Sequence, residues 1–528
     1  MMIVAGGYLI SRVLGLLREI IITAQFGTTP ALDAYRAAFG VLDIIYLVVA
    51  GGALGSAFIT VLAGHLGDHR TNDARRLTHA LVALTLLALL AAAALAFVLA
   101  DPLVRLIVAP GFDAAQQQRT AEILRLLLLQ PILLGIGGLA KATLETFERF
   151  SIPALAANLY NLGIIGGALL APWLGINGLV IGVNAGALLF VLVQLPALGR
   201  TRMLAGKMSG PRAWLAAPGL RTVLVQIGPR LFGQSIWGFN LLAIIAFASR
   251  LGPGAVSANA LAYQLLLLPH GLIALSAGTV IFPQLARHAA AGDTEALRAG
   301  ALRTLRGVLF LGLPAAMGLL LLALPILRAL FQRGAFDASS AALTTQALLG
   351  YAPALAGFAA AEIIVRTFYA MRDTWTPVVV GVITVLLNLL FINLVIAAGW
   401  GVGGLGLAFS ASSTIEALLL LGLLLRRLPG ELASFWRMIG RSTIATLLMG
   451  GVLTALVGGL RRVDDAFLPG DTYVWPAEFP ALVLWLTIVG AVGAAVYIGA
   501  ALLLQIPEAA TLRDQVLARL DRRTAKAG

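Results

Sequence analysis

The chain has 528 residues, of which 60% are hydrophobic and only 12% charged, and its mean hydropathy is +0.94. That balance excludes a soluble domain with a large core and leaves an all-α polytopic membrane protein. The formal charge of +13 would suit a nucleic-acid binder, but the basic residues gather in loops between apolar runs; with no cysteine, disulfides and thiolate chemistry are excluded too.

The first apolar run, from about residue 2 to 26, is long enough to span a bilayer and too long for a cleavable signal. It carries Arg12, Arg18 and Glu19, and the next run carries Asp33, Arg36 and Asp43. Each central charge costs roughly 2.5–3.5 kcal/mol on insertion, so such residues face a bundle interior or a watery cavity. On a helix Asp33, Arg36 and Asp43 fall within about 80° of one another, while Arg12 and Glu19 lie almost in line and Arg18 points about 120° away. Guanidinium groups aimed in two directions suit a cavity wall. The plainer alternative is a set of ion pairs, Arg12 with Glu19 and Arg36 with Asp33, that glue helices together.

Further runs of spanning length lie near 32–65, 78–100, 119–147, 153–173, 175–198, 219–249, 255–286, 303–329, 343–370, 376–399, 402–425, 438–460 and 480–505. They predict about fourteen transmembrane helices, the second and eighth longer than a bilayer requires. Gly51, Gly52 and Gly55 read as close packing of the second helix with some bending. After Pro507, Leu512, Val516, Leu517 and Leu520 share one side among basic residues. That pattern fits either a short amphipathic helix for an anionic surface or a solvated tail.

Lys and Arg crowd alternate loops, around Arg75, Arg202, Arg298 and Arg426 and in the tail after residue 506, which places both termini in the cytoplasm. An internal repeat is visible. Phe112-Asp113-Ala114 returns as Phe336-Asp337-Ala338, and Pro153 as Pro377, both 224 positions on. Six helices separate equivalent points, so the halves are parallel repeats about an axis along the membrane normal, as in transporters with a site between two lobes. The expected organisation is a six-helix lobe over 1–200, a cytoplasmic linker over 201–218, a second lobe over 219–427, two extra helices over 438–505 and a basic tail over 506–528.

Chemistry is sparse. No G-x-x-x-x-G-K-[ST] run occurs, so the chain by itself hydrolyses no nucleotide. His65 and His69 have a zinc-compatible spacing but no third ligand in sight. Lys141 with Glu145, and Glu362 with Arg366, read as local i, i+4 salt bridges. Polar residues such as Gln226, Gln234, Asn240, Gln264, Asn388 and Thr414 recur on the seventh, eighth, eleventh and twelfth helices. A sodium site there would want carboxylates, and only Glu416 is on offer.

The opening Ser11-Arg12-Val13-Leu14-Gly15, Arg18, Phe26-Gly27 and Asp33-Ala34 resembles that of the MurJ (MviN) family of lipid II flippases, within the multidrug/oligosaccharidyl-lipid/polysaccharide exporter superfamily. So do Ala109-Pro110-Gly111-Phe112, Arg333-Gly334-Ala335-Phe336-Asp337, and the run from Phe368-Tyr369-Ala370 through Met371-Arg372-Asp373 to Thr374-Trp375-Thr376-Pro377. The similarity runs from about residue 8 to 425. It implies a fourteen-helix fold with a central cationic cavity, and a groove for a polyprenyl tail on the last two helices. It carries functional importance to Arg12, Arg18 and Asp33. Two further arginines of the family are replaced here, by Tyr46 and by Gln264. Arg36 and Arg230 are extra basic residues placed to stand in for them.

The reading implied is a flippase, not an enzyme, that moves undecaprenyl-pyrophosphate-linked lipid II across the cytoplasmic (inner) membrane by alternating access. Arginines would hold the pyrophosphate bidentately. The alternatives are a flippase for another lipid-linked glycan, an ion-coupled exporter, or a non-transporting scaffold that binds the precursor. No cofactor is expected. Each net positive charge in the cavity would couple to the membrane potential, at about 2.3 kcal/mol per charge per 100 mV, and sodium is the alternative coupling; the sequence supports both only weakly. The partners implied are the lipid-linked precursor, membrane lipids and cell-wall synthesis proteins, and no nucleic acid.

Overall fold

A computed structural model describes residues 2–50, 52–206, 210–463 and 477–514. All regular structure among them is helical. The principal helices are α1 (Met2–Phe26), α2 (Pro30–Ala50), α3 (Gly52–Gly67), α4 (Thr71–Val98), α5 (Ala114–Leu127), α6 (Leu129–Thr146), α7 (Ser151–Leu169), α8 (Ile176–Leu192) and α9 (Leu220–Ala248). They continue with α10 (Ala255–His270), α11 (Ser276–Ala290), α12 (Thr294–Phe331), α13 (Ala338–Tyr351), α14 (Ala354–Ala370), α15 (Trp375–Ala397), α16 (Gly401–Arg427), α17 (Ala433–Val463) and α18 (Phe479–Leu503).

Among the described residues, ten helices are long and apolar enough to cross a membrane, or eleven if α13 and α14, bent by 48°, count as one span. That compares with about fourteen expected. The segments that fall short are helical nonetheless. They are α1, the pair α2 and α3, and α9. Composition explains the first two, because α1 and α2 each carry three ionisable residues. Of the three glycines on which packing and bending of the second helix were expected, Gly51 lies outside the described residues. Gly55 on α3 packs toward α6, where an added Cβ would stand 3.8 Å from the Ala142 methyl.

The repeat is legible in where helices begin. The starts of α2, α4, α5, α6, α7 and α8, at residues 30, 71, 114, 129, 151 and 176, reappear at 255, 294, 338, 354, 375 and 401. The shared Phe-Asp-Ala motif is a helix start in both halves. Asp113 Oδ1 accepts from the Gln116 N–H at 2.8 Å, and Asp337 Oδ1 accepts from the Ser340 N–H at 2.8 Å. Each carboxylate satisfies one of the four N–H groups that a helix leaves unpaired at its N-terminus.

By internal contact the chain forms two compact units, Met1–Ser257 with Gly334–Phe336, and Ala258–Arg333 with Asp337–Gly528. In the first unit, Phe58, Leu62, Leu77, Leu139 and Val223 join α3, α4, α6 and α9 in one buried cluster. The α7–α8 seam is built from glycine. A Cβ at Gly182 would stand 2.6 Å from the Gly167 Cα, so only a residue without a side chain lets these backbones touch. The short excursion Gly334–Phe336 joins this unit through the Ala335 N–H, which donates to the Ala24 carbonyl at 2.7 Å.

In the second unit, Phe368, Leu420, Leu424 and Phe435 tie α14 and α16 to the start of α17. A second cluster around Phe310, Met449, Leu453 and Tyr497 ties α12, α17 and α18. Between α10 and α11 the backbone widens into one π turn over Gly271–Leu275, just after Pro269, whose missing N–H interrupts the regular ladder. The chain after α18 is helical again from residue 507 to 514, and the remainder of the expected amphipathic tail lies outside the described residues.

Candidate functional site

The ionisable residues of α1 and α2 meet in the first unit, around Glu19. Glu19 is 5% exposed, and its carboxylate takes one guanidinium on each oxygen. Arg18 Nη2 donates to Oε1 at 2.9 Å, and Arg36 Nη2 donates to Oε2 at 2.8 Å. Arg18 Nη1 reaches further, to Asn161 Oδ1 on α7 at 3.1 Å, and Asn161 is itself fixed through Nδ2 to the Ala157 carbonyl. Beside this lies a neutral pair, Gln130 Nε2 donating to Tyr160 Oη at 3.2 Å.

Three charges tied in this way leave one net positive charge. A buried arginine–glutamate–arginine set is held by geometry and by hydrogen bonds that offset desolvation. Here the geometry is incomplete. Arg36 Nε is buried with no hydrogen-bond acceptor among the described residues. The cluster thus combines a surplus cation with an unused donor, which is what an anionic group needs.

The ion pairs expected if these charges merely joined helices are not the ones formed. Arg36 pairs with Glu19 rather than Asp33, and Arg18 rather than Arg12 takes the other oxygen. The reason is reach. A guanidinium extends far enough along its stem to meet a carboxylate on the adjacent residue or on the next helix, so Cα directions alone do not choose the partner. Arg12 is exposed and makes no ion pair among the described residues.

Asp33 is fully buried and differently engaged. Its Oδ2 accepts from the Gly254 N–H at 2.6 Å and its Oδ1 from the Ser257 N–H at 2.7 Å. It therefore caps the N-terminus of α10 from another helix, where the dipole and the unpaired N–H groups favour a carboxylate. Asp43 is exposed on α2, and Tyr46, half-buried, turns its hydroxyl toward Gly138 on α6. The side chain of Arg230 lies outside the described residues. Gln264 is half-buried on the part of α10 that belongs to the second unit. Arg18 and Arg36 are thus brought together, with Glu19, Asn161, Gln130 and Tyr160 as neighbours that sequence reasoning did not assign to the site. Glu19 was visible as an intramembrane acid; Asn161 and Gln130 carried no pattern that set them apart.

The other polar features are local. Arg366 Nε meets Glu362 Oε1 at 2.7 Å and Lys141 Nζ lies 3.9 Å from Glu145, as the i, i+4 spacing suggests. His65 Nε2 sits 3.2 Å from the Pro218 carbonyl, and no group of three metal-ligating side chains occurs among the described residues.

The second unit holds an apolar cavity of about 260 Å³ between α12, α17 and α18. Phe310, Pro314, Gly318, Met449, Leu453 and Gly490 are among its walls. Tyr497, on its wall, donates through Oη to the Phe310 carbonyl at 2.6 Å.

The family profile described as "Lipid II flippase MurJ" matches residues 22–469. The lipid II flippase of Burkholderia cenocepacia is 31% identical over 466 residues, covering 84% of this chain and 88% of that protein. A probable lipid II flippase of Vibrio cholerae is 31% identical over 468 residues, covering 85% and 87%. Among solved structures, a lipid II flippase in an inward closed conformation superposes with a TM-score of 0.77 at 22% identity, over 98% of this chain and all of that one. An inward-facing multidrug resistance transporter of the MATE family and MOP superfamily reaches 0.67 at 15% identity, over 79% of this chain and 94% of that one.

Proposed function

We propose, from the premise that the chain belongs to the MurJ family of lipid II flippases, a working assignment of its parts. The protein is a multi-pass membrane transporter that translocates lipid II, and the Arg18–Glu19–Arg36 cluster is where the pyrophosphate binds. The observation that carries this reading is the surplus cation of that cluster together with the unpaired Arg36 Nε. Guanidinium matches phosphate oxygens in charge and in planar geometry.

Arg36 then supplies from α2 a positive charge that the family resemblance places at Tyr46 and Gln264. Glu19 positions both guanidiniums. Arg12, exposed and without an ion pair among the described residues, provides a further contact as the headgroup moves. Asp33 acts at one remove, by fixing the start of α10. The apolar cavity between α12, α17 and α18 takes part of the polyprenyl tail, since its walls are almost wholly hydrocarbon. Rocking of two six-helix lobes gives alternating access, with both termini cytoplasmic in the inner membrane. No covalent step enters.

Controlled depletion tests the assignment. Lipid II should accumulate in the inner leaflet, and its translocation in proteoliposomes should require the purified protein. Accumulation of a different lipid-linked glycan, with lipid II unaffected, would favour the second reading that Tyr46 and Gln264 invite.

A further inference from the structure

The second unit places part of the chain's own C-terminal segment at the mouth of its apolar cavity. After α18 ends at Leu503 the backbone turns, with Gln505 in the left-handed region, and its carbonyl accepts from Arg441 Nη1 at 3.2 Å. Ile506 and Ala509 are then buried against the cluster formed by α12, α17 and α18. Glu508 Oε1 lies 2.7 Å from Arg306 Nε, and both side chains are largely buried, at 17% and 21% exposure. Arg306 stands one turn before Phe310, a cavity wall, and Leu512 stands one turn after Glu508. Leu512 lines the same cavity while remaining 38% exposed.

We infer that the segment Ile506–Asp514 is a strap over the apolar cavity, with Leu512 as its stopper and the Arg306–Glu508 pair as its catch, and that it lifts to admit an isoprenoid chain. The inference rests on the reading above that this cavity takes the lipid tail. Three features distinguish a strap from a permanent brace. The stopper is a half-exposed leucine rather than a buried one. The catch is one ion pair rather than a network, so a single contact decides whether it holds. Its geometry is also incomplete, because Glu508 Oε2 is buried without a hydrogen-bond partner among the described residues. Tail and stopper compete for the same volume, so apparent affinity for the tail scales with the fraction of straps that are undocked.

The test uses the full chain in lipid nanodiscs and a benzophenone-tagged farnesol, an isoprenoid without phosphate, scored by photolabelling. Glu508→Gln and Leu512→Ala should each strengthen binding by about threefold or more, since each raises the undocked fraction. The exchange Arg306→Glu with Glu508→Arg should return it to the wild-type value. Cysteines at Leu512 and Ala494, placed in a chain that has none and joined by a bismaleimide, should reduce labelling. Gly490 lines the cavity and an added Cβ there meets nothing within 4 Å, so Gly490→Leu should block labelling in every background. Unchanged or weaker binding by both Glu508→Gln and Leu512→Ala, with Gly490→Leu still blocking, overturns the strap and leaves the tail site standing. Labelling indifferent to Gly490→Leu overturns both.

Discussion

Arg36→Gln separates a substrate-binding cluster from a helix-joining one. The change leaves the neutral Arg18–Glu19 pair in place, with Arg18 still bonded to Asn161, and removes the surplus charge. Stability should fall by about 1.5–3 kcal/mol, the worth of one hydrogen bond to a charged group. Transport should fall as well. A unit charge about 4 Å from a phosphate is worth on the order of 4 kcal/mol at an effective dielectric of 20. The competing pull of Glu19 and the cost of desolvation take back much of this, so about 1.4 kcal/mol, or a tenfold loss in lipid II affinity, is the floor. Arg36→Lys should recover part of it, because the ammonium restores charge without the planar fork. Glu19→Gln should show the opposite balance, destabilising the protein more than Arg36→Gln by leaving two guanidiniums without their shared anion. The assay pairs thermal unfolding with lipid II translocation in proteoliposomes. Arg36→Gln with flux within twofold of wild type, at whatever stability, would refute the cluster as the pyrophosphate site.

Arg12→Ala should lower translocation severalfold while changing stability by less than about 0.5 kcal/mol, because an exposed side chain carries little of the fold. Equal losses of both would instead make Arg12 structural. With no native cysteine to interfere, a single cysteine at Arg202 should resist an impermeant thiol reagent on intact cells, and labelling from outside would invert the proposed topology. Asp373, in the turn before α15, is held below the usual carboxylate range. Burial alone would raise its pKa, but hydrogen bonds from Thr376 and the ion pair with Arg427 outweigh that effect. A depressed pKa stabilises the fold above the unfolded value of about 3.9 and ceases to do so as pH falls through the folded value. The stability gap between wild type and Asp373→Asn should therefore be full at neutral pH and close in strongly acidic buffer. A gap independent of pH contradicts the ion-pair account.

The sequence was most informative where structure is local or periodic. Apolar length located the helices, and the 224-residue offset located equivalent starts, because a capping aspartate acts within its own first turn. The charges of α1 and α2 stood out for the cost of placing them in hydrocarbon. Their partners did not. Glu19 and Arg36 are 17 positions apart, Arg18 and Asn161 143, and Asp33 and Ser257 224, and no helical projection relates residues at such separations. Asp33 illustrates the limit. On its own helix it belongs with Arg36 and Asp43, yet two backbone N–H groups of a distant helix start claim it, since a full set of hydrogen bonds outweighs one nearby guanidinium.

The same accounting bears on why a transport site should contain an acid among its arginines. Two bare guanidiniums in a poorly solvated wall would repel each other when the site is empty and hold a diphosphate tightly when it is full. Glu19 relieves the first problem by satisfying one edge of each guanidinium in the empty state. It also limits the second, since a phosphate that approaches must share each guanidinium with a carboxylate already in place. A ligand that has to be released on the far side of a membrane gains nothing from the tightest grip, because conduction through a site requires binding favourable enough to enter and weak enough to leave. On this argument Glu19→Gln, in whatever fraction still folds, should bind lipid II more tightly and translocate it more slowly. Weaker binding with slower translocation would instead make Glu19 only a scaffold for its two arginines.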